Sequence, residues 1–292
     1  MDINSIKKGK TISELLEFGI INIDKSSGPT SFNISDFVGK KLNLRKTSHF
    51  GTLDPKVTGV LPVALNRACK LTGFFLGENK EYIGIMRLHE DVELEKIKKI
   101  IKEKFTGKIK QTPPVKSRVK RVEREREIIS FELIEKERTD ILFKTEVQGG
   151  TYIRKLIDDL GKELNIGAHM LELRRTCAGI FKENSIVNLY EFEKAVDEYQ
   201  NGSEENLRKI IIPAEIISEV YPVIQIKKND LKKILTGKPI HKEDLIKPED
   251  FEKNSIVCVF ADDKFIGMYK IIKDKNIVAK AEFVMQEIKD GK

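Results

Sequence analysis

The sequence contains no tryptophan and little cysteine or histidine, so several kinds of site are hard to build from it. Its three cysteines are odd in number and far apart, at Cys69, Cys177 and Cys258. Because no CxxC pair occurs, neither a disulfide framework nor a cysteine zinc site is expected. The four histidines are scattered, without the HxxxH spacing of a helical metal site. We therefore expect no metal in this protein.

Long apolar runs are also missing. No apolar stretch approaches the roughly 20 residues that a helix needs to cross a bilayer. The N-terminal segment, MDINSIKKGKTISELLEF, carries charges throughout and lacks the apolar core of a signal peptide. These features predict a cytoplasmic protein with no membrane partner.

Charge and apolar residues are both plentiful. Hydrophobic residues make up 40% of the 292-residue chain, which is enough for a substantial core. Lys and Arg total 53 against 46 acids, which gives a formal net charge of +7. A positive excess on a heavily charged surface favours a polyanionic partner such as a nucleic acid.

Strand-like and helix-like segments alternate irregularly along the chain. Residues 18–23 and 81–88 have the character of strands, whereas residues 92–105 carry apolar side chains at the spacing of an amphipathic helix. Beyond a boundary between Pro213 and Pro222, the sequence consists of short strands and turns over about 70 residues. This organisation predicts an α+β protein with a small all-β tail domain.

A single acid, Asp54, stands in the Gly/Thr/Pro-rich stretch HFGTLDPKVTGVLPVAL, residues 49–65. It could cap a helix that begins near Val57, or form an Asx-turn before Pro55. Cleavage of a glycosidic bond normally uses two carboxylates, and this loop holds no second acid. A lone Asp can still act as a nucleophile if a cation keeps it ionised. The loop alone leaves these alternatives open.

A basic segment, KIKQTPPVKSRVKRVERERE, covers residues 108–127 around a Pro-Pro turn. One interpretation is an arm that binds RNA phosphates through Lys116, Arg118, Lys120 and Arg121. The alternative is a solvated loop whose arginines pair with the glutamates of the same segment.

Five motifs together resemble the RNA pseudouridine synthases of the bacterial tRNA-U55 synthase and dyskerin type. They are INIDKSSGPTSF (21–32), SHFGTLDPKVTGVLPVAL (48–65), KEY (80–82), GGTYIRKLIDDLG (149–161) and ELRRT (172–176). They occur in the family's order. Three phrases, DPKVTGVLPV, QTPPVKSRVKR and AHMLELRRT, are similar to the archaeal and eukaryotic H/ACA branch. The tail then looks like a PUA domain, a small RNA-binding β-barrel.

The resemblance implies a fold and a domain plan. The expected fold is a mixed, largely antiparallel central sheet with flanking helices and a cleft that holds the active site. We expect an N-terminal extension over residues 1–17, a catalytic domain over 18–215 and a PUA domain over 219–292. The extension is expected to pack on the tail domain.

The resemblance also implies the reaction, which converts uridine to pseudouridine without a cofactor. Asp54 matches the catalytic aspartate, which acts on the sugar as a nucleophile or as a base. Arg154 matches the arginine that pairs with this aspartate, although Arg154 also has Asp158 four residues away as an ordinary surface partner. Tyr82 matches the aromatic residue that stacks on the target base, and without the motif it would be interpreted as strand core.

Three further matches line the expected pocket. His49 matches a histidine associated with substrate binding and base flipping, and Leu173 matches an apolar wall of the pocket. Lys25 matches a basic residue of the first motif that supports the active-site loop. The sequence departs from the family beside His49, where Ser48 and Phe50 replace the usual Gly and small residue.

Three functions remain open at this point. The first is the catalytic subunit of an archaeal H/ACA ribonucleoprotein, which modifies rRNA with a guide RNA and small partner proteins. The second is a stand-alone synthase that acts on uridine 55 of tRNA. The third is a non-catalytic RNA-binding scaffold, which the set of Asp54, Tyr82 and Arg154 disfavours.

Overall fold

A computed structural model describes residues 1–113, 120–228, 231–247 and 250–285. The helices are α1 (Ile3–Gly9), α2 (Ile12–Glu17), α3 (Ser31–Lys41), α4 (Thr72–Leu76), α5 (Leu94–Lys104), α6 (Ile153–Glu163), α7 (Leu189–Gln200), α8 (Glu205–Ile210) and α9 (Leu231–Leu235). The strands are β1 (Gly19–Lys25), β2 (Thr47–His49), β3 (Thr58–Leu65), β4 (Lys80–Leu88), β5 (Gly107–Gln111), β6 (Arg124–Glu137), β7 (Asp140–Val147), β8 (Ala168–Ala178), β9 (Phe181–Lys182), β10 (Ile211–Pro213), β11 (Val223–Gln225), β12 (Ile240–His241), β13 (Ile256–Ala261), β14 (Lys264–Asp274) and β15 (Ile277–Val284).

The chain divides into two compact units. The large unit is Ile12–Ile212, and the small unit combines Met1–Thr11 with Pro213–Lys292. The predicted extension over residues 1–17 is therefore split, because α1 belongs to the small unit and α2 to the large one. In the small unit, the Lys10 ammonium pairs with the buried carboxylate of Glu215 at 2.5 Å, which ties the N-terminal segment to the tail.

The large unit is built on one ten-stranded sheet. Its strand order is β10-β1-β3-β8-β4-β7-β6-β5, with β2 also paired to β3 and β9 to β8. The pair β3–β8 is parallel, whereas β1–β3, β4–β8, β4–β7, β5–β6 and β6–β7 are antiparallel. The prediction of a mixed, largely antiparallel sheet is confirmed.

Alternating burial sets one face of this sheet against helices. In β4, every second residue from Lys80 to Leu88 is buried, and in β7 the same alternation buries Ile141 through Val147. The apolar stripes of α5 and α6 join the same core. Tyr82 and Thr145 are register partners on adjacent strands, and both side chains are buried. The buried face of the sheet therefore includes a polar row in its middle.

The small unit has a five-stranded sheet in the order β11-β13-β14-β15-β12. Its two edges meet, since a β-bridge joins Ile226 to Leu245 and the Ile246 amide donates to the Gln225 carbonyl at 3.0 Å. The sheet thus curls around its own apolar core, which includes Val257, Val259 and Tyr269. This arrangement agrees with the small β-barrel expected for the tail.

Candidate active site

The candidate site lies where two strands leave one edge of β3. Strand β1 covers the other edge from Ala64 to Gly59. On the free edge, β8 pairs only with Thr58 and Gly59, and β2 pairs only with residues 63–65. Residues 60–62 have no ladder partner on that edge. Other bonds close it, from the Phe50 amide to the Pro62 carbonyl and from Arg175 to the Val60 carbonyl. The chain between β2 and β3, residues 50–57, forms a loop beside this edge and carries Asp54.

Asp54 and Arg154 form an ion pair across the site. Nη2 of Arg154 lies 2.7 Å from Oδ2 of Asp54, and the side chains of Arg154 and Asp54 are 62% and 48% exposed. Arg154 is the second residue of α6, so the helix presents it at its first turn. The neighbouring acid Asp158 pairs instead with Lys162 at 2.5 Å. The i,i+4 alternative for Arg154 is therefore not formed.

The backbone of Asp54, and not its carboxylate, closes the local turn. The amide of Val57 donates to the Asp54 carbonyl at 3.0 Å. The carboxylate is turned to Arg154, which leaves one oxygen and about half of the side chain open to a ligand. A half-exposed carboxylate paired with an arginine suits attack on, or proton removal from, a sugar.

Lys25 holds the loop from below. Its side chain is fully buried, and its Nζ donates to the carbonyls of Ser26, Pro55 and Val57 at 2.8–2.9 Å. Burial lowers the pKa of Lys25, and the negative charge of Asp54 opposes that change. Its three N–H donors are thus engaged by backbone carbonyls on both sides of the loop.

Ser31 fixes the residue just before Asp54. Its hydroxyl accepts from the Leu53 amide at 2.8 Å and donates to the Leu53 carbonyl at 3.0 Å. Ser31 is fully buried at the start of α3. The first and second motifs are thus joined at one backbone unit, which explains why both contribute to a single site.

Arg175 is a buried residue of this site that the sequence reasoning missed. Its Nε donates to the Val60 carbonyl at 2.8 Å and its Nη2 to the Gly51 carbonyl at 3.0 Å. Burial lowers the pKa of its guanidinium, and the neighbouring Tyr82 opposes that change. Two residues earlier stands Leu173, so the period of a strand places both on one face. That alternation was the signal available in ELRRT.

Tyr82 and Leu173 lie on the two central strands. Tyr82 of β4 stands between its register partners Thr145 and Arg175 and is 8% exposed. Leu173 of β8 is opposite Gly84, where an added Cβ would meet a Leu173 methyl carbon at 2.9 Å. The two predicted pocket residues therefore share the buried face, each with a small exposed portion.

His49 ends β2 at the edge of the loop. Its Nε2 lies 3.2 Å from the Thr52 hydroxyl, and burial together with the charge of Arg175 lowers its pKa. A neutral imidazole is therefore favoured. The unusual neighbour Phe50 is buried in an aromatic cluster, with its ring centroid 4.6 Å from Phe75 and 5.8 Å from Phe181. The departure from the family beside His49 thus supplies core packing under the loop.

A buried glutamine connects the basic arm to the arginine helix. The Oε1 of Gln111 accepts from the Tyr152 amide at 3.0 Å, and its Nε2 donates to the Tyr152 carbonyl at 3.3 Å. Tyr152 directly precedes α6, two residues before Arg154. Gln111 is the last residue of β5. The basic segment therefore continues from the residue that is bonded to Tyr152, two residues before Arg154.

The basic arm is only partly described. Lys116 and Arg118 lie outside the described residues, whereas Lys120 and Arg121 are exposed. At its base, Lys108 pairs with Glu125 at 3.0 Å and Lys110 with Glu123 at 3.6 Å. Glutamates of the segment thus pair with the lysines of β5, and not with the arginines that the solvated-loop alternative named.

The described residues contain no group of three or more His, Cys, Asp or Glu side chains that could hold a metal ion. Within the same residues, no helix is long and apolar enough to cross a membrane.

Comparison with known proteins decides the family. The model of the TruB family pseudouridylate synthase N-terminal domain matches residues 39–153. That of the tRNA pseudouridylate synthase B C-terminal domain matches residues 154–218. A protein of Archaeoglobus fulgidus named "Probable tRNA pseudouridine synthase B" is 38% identical over 95% of this chain and 89% of its own length. The chain belongs to the TruB family of pseudouridine synthases.

Other relatives and solved structures agree with this assignment. A "Probable tRNA pseudouridine synthase B" of Methanococcus maripaludis is 44% identical over 82% of this chain and 72% of that protein. A structure described as "Crystal Structure of a Cbf5-Nop10-Gar1 Complex" covers 95% of this chain and 88% of its own, with 38% identity and a TM-score of 0.88. "Structure of H/ACA RNP bound to a substrate RNA containing 2'-deoxyuridine" gives 36% identity and a TM-score of 0.85, over 96% and 89% of the two chains.

The family recognition made from five short motifs is therefore confirmed, together with the pseudouridine synthase fold. In this TruB-family member Asp54 pairs with Arg154, Tyr82 and Leu173 share the buried face of the sheet, and His49 ends the strand before the loop. Their individual roles in the reaction stay predictions.

Proposed function

We propose that this TruB-family enzyme isomerises uridine to pseudouridine in rRNA as the catalytic subunit of an archaeal H/ACA guide ribonucleoprotein. The exposed ion pair of Asp54 with Arg154, at 2.7 Å, carries the catalytic part of this proposal. The similarity to Cbf5 in complexes with Nop10, Gar1 and substrate RNA supports guide RNA and small proteins as partners. Uridine 55 of tRNA is a second target in this proposal.

The reaction needs no cofactor because its product has the same composition as its substrate. The N1–C1′ bond breaks, the uracil turns, and C5 bonds to C1′ while its proton is lost and N1 is protonated. Asp54 acts on the sugar, either by attack of its carboxylate on C1′ or by removal of a proton. Arg154 orients this carboxylate through the fork of its guanidinium.

The base must leave the RNA stack before its ring can turn. Tyr82 supplies an aromatic wall for the extruded uracil near C5, and Leu173 supplies an apolar wall. His49, with its favoured neutral imidazole, contacts the nucleotide as it is flipped out. Lys25 belongs to this set as the support of the loop, in accord with its three carbonyl contacts.

The small unit and the basic arm extend the RNA surface in this proposal. We assign the PUA function to the C-terminal sheet of the small unit, because its edges meet as in a small barrel. Lys116, Arg118, Lys120 and Arg121 bind phosphates without sequence preference. A cytoplasmic location agrees with the free thiols of Cys69, Cys177 and Cys258.

The test is pseudouridine formation by the purified chain on two substrates. One is an unmodified tRNA, and the other is a short RNA matched to an H/ACA guide, with and without the small partner proteins. Product that depends on guide and partners is the expected result. Product on bare tRNA alone would instead favour the stand-alone synthase, which the names of the relatives support. Tight RNA binding without product on either substrate would leave a non-catalytic scaffold.

A further inference from the structure

An exposed aromatic ring stands next to the catalytic loop without a role in the chemistry. Phe32 is 68% exposed, although its neighbour Ser31 is fully buried against Leu53. Every other described phenylalanine is buried or half-buried. Single exposed apolar side chains are ordinary in proteins, so the exposure of Phe32 indicates a binding site only in combination with the residues around it.

Phe32 forms one end of a groove of about 480 Å³. One wall is the outer face of α3, with Phe32, Asp36 and Lys40, and the other is the segment that leads into β2, with Asn43 and Lys46. The Thr47 hydroxyl donates to the Ser35 carbonyl at 2.8 Å, which pins the start of β2 to α3. The groove is therefore a fixed feature of the surface.

Each wall of the groove is connected to the loop of Asp54. On the α3 side, Ser31 bonds both backbone groups of Leu53, the residue before Asp54. On the other side, β2 starts beside the groove and ends at His49. The groove is therefore connected to the loop of Asp54 from both of its walls.

The charges of the groove favour an anion. Lys40 is neutralised by Asp36 at 2.7 Å, and Arg45 by Glu17 at 2.6 Å. Lys46 is exposed and makes no ion pair with any residue in the described part of the chain. An exposed ammonium and an exposed ring in one groove are the two kinds of group that bind single-stranded RNA, the first through a phosphate and the second through a base.

A second groove of the large unit gives the contrast. Its exposed aromatic residue is Tyr190, 77% exposed, and its volume is about 560 Å³. That groove is lined by Glu193, Asp197 and Glu198, with Lys194 as its cation. Its acidic lining repels phosphates, so a similar ring there is not expected to meet RNA.

We propose that the groove of Phe32 binds an unpaired nucleotide next to the target uridine, with its base on the Phe32 ring and its phosphate at Lys46. The inference rests on the proposed action on RNA. Stacking on an aromatic side chain accepts any base, so the groove adds affinity and holds the flipped strand without selecting a sequence.

The absence of tryptophan from the chain makes a direct test possible. A Phe32→Trp variant carries a single tryptophan, and base stacking on it quenches its fluorescence. We expect quenching when an unmodified tRNA or a guide-matched target RNA binds in the Asp54→Asn background. The matched Tyr190→Trp variant, also exposed, is expected to keep its fluorescence.

Affinity and turnover supply the second readout. Phe32→Ala is expected to raise the Kd and KM for RNA by about 5- to 100-fold while kcat at saturating RNA is kept, since stacking contributes to binding. Phe32→Tyr should restore binding, and Tyr190→Ala should change nothing. Lys46→Gln is expected to reduce the slope of log Kd against log salt by about 0.7.

The outcomes separate this inference from the proposed function. If wild-type protein forms pseudouridine but RNA neither quenches the Phe32→Trp variant nor binds Phe32→Ala more weakly, the nucleotide groove is refuted. Quenching by the small partner proteins instead of RNA would also refute it and make the groove a protein interface. If RNA binds the wild type and quenches the Phe32→Trp variant, but the wild type forms no product on any substrate, the proposed function fails while the groove stands.

Discussion

The exposed ion pair and the buried polar residues beneath it differ in almost every physical respect. Asp54 and Arg154 are about half exposed and contact mainly each other. Lys25 and Arg175 are almost fully enclosed, and each donates to backbone carbonyls of the loop or of the strand that follows it. The exposed pair is free to react with a ligand, whereas the buried cations have used their donors to hold the chain. The charged residues of this site therefore form two groups: an exposed pair that is open to a ligand, and buried cations that hold the backbone.

The largest expected effect comes from Asp54→Asn. We expect turnover to fall at least about a thousand-fold, because the amide can neither attack the sugar nor accept its proton. RNA affinity should stay within a few-fold, and the free energy of unfolding within about 0.5 kcal/mol, since the side chain is exposed. Pseudouridine assays, RNA titrations and urea unfolding check the three quantities. Asp158→Asn, an exposed acid on α6, is the control that should keep full turnover.

Arg154→Lys tests whether the pair needs a planar fork. We expect turnover to fall about 100-fold, since an ammonium retains the charge but not the orientation of the carboxylate. Single-turnover assays at saturating RNA measure it. Arg87→Lys, which alters an exposed arginine paired with Asp140 at 2.6 Å, is expected to have no effect. Near-normal turnover of Arg154→Lys would remove Arg154 from the catalytic residues.

Lys25→Met removes one of the buried cations beneath the ion pair. The change leaves three carbonyls without their donor, so we expect the free energy of unfolding to fall by roughly 2–4 kcal/mol and turnover to be largely lost. Urea unfolding is measured for this variant and for Lys56→Met, which changes an exposed lysine of the same loop. We expect the change at the buried position to lower the free energy of unfolding and the change at the exposed position to leave it unaltered. Loss of turnover at unchanged stability would instead give Lys25 a direct role in the reaction.

Lys80 is a further buried cation, and its burial can be tested through the pH dependence of stability. Burial lowers its pKa to about 8, and its Nζ donates to the Glu78 carbonyl at 2.5 Å. Between pH 8 and 10.5 the unfolded chain binds the Lys80 proton more tightly than the folded one, so this group makes stability rise with pH. The contribution is roughly 3 kcal/mol across that interval.

The measurement is urea unfolding of wild type and Lys80→Met at pH 7, 8, 9 and 10.5. Other lysines are common to both proteins, so their contributions cancel in the difference. The stability advantage of Lys80→Met over the wild type should shrink by roughly 3 kcal/mol between pH 8 and 10.5. A difference that is flat with pH would mean that Lys80 is solvated.

The smallest expected effect is that of Gln111→Leu. Loss of both bonds to Tyr152 loosens the start of α6, and we expect kcat to fall about tenfold with RNA affinity nearly unchanged. Gln111→Glu keeps the acceptor for the Tyr152 amide and should lose less. If Kd rises while kcat is kept, Gln111 acts through the basic arm and not through Arg154.

Much of the fold was predictable because its signals are local. The amphipathic pattern of residues 92–105 predicted α5, and the alternation of residues 81–88 predicted β4. The motif match then predicted the mixed sheet. It also predicted the pairing of Asp54 with Arg154, which are 100 positions apart in the sequence. Contacts of a buried side chain with the backbone leave no residue-type signal, because an amide and a carbonyl are present at almost every residue. Gln111 was therefore overlooked, and for Arg175 the strand alternation in ELRRT indicated only the face it shares with Leu173.

The sequence by itself determined the family, the candidate acid and its cation, since these depend on residue types at characteristic spacings. Tertiary structure alone decided which cations are buried, that Arg154 turns to Asp54 while Asp158 pairs with Lys162, and that Phe32 is exposed beside the loop. It also decided that α1 joins the tail whereas α2 joins the large unit. The physical reason is that burial and pairing depend on neighbours distant in sequence, which no local pattern records.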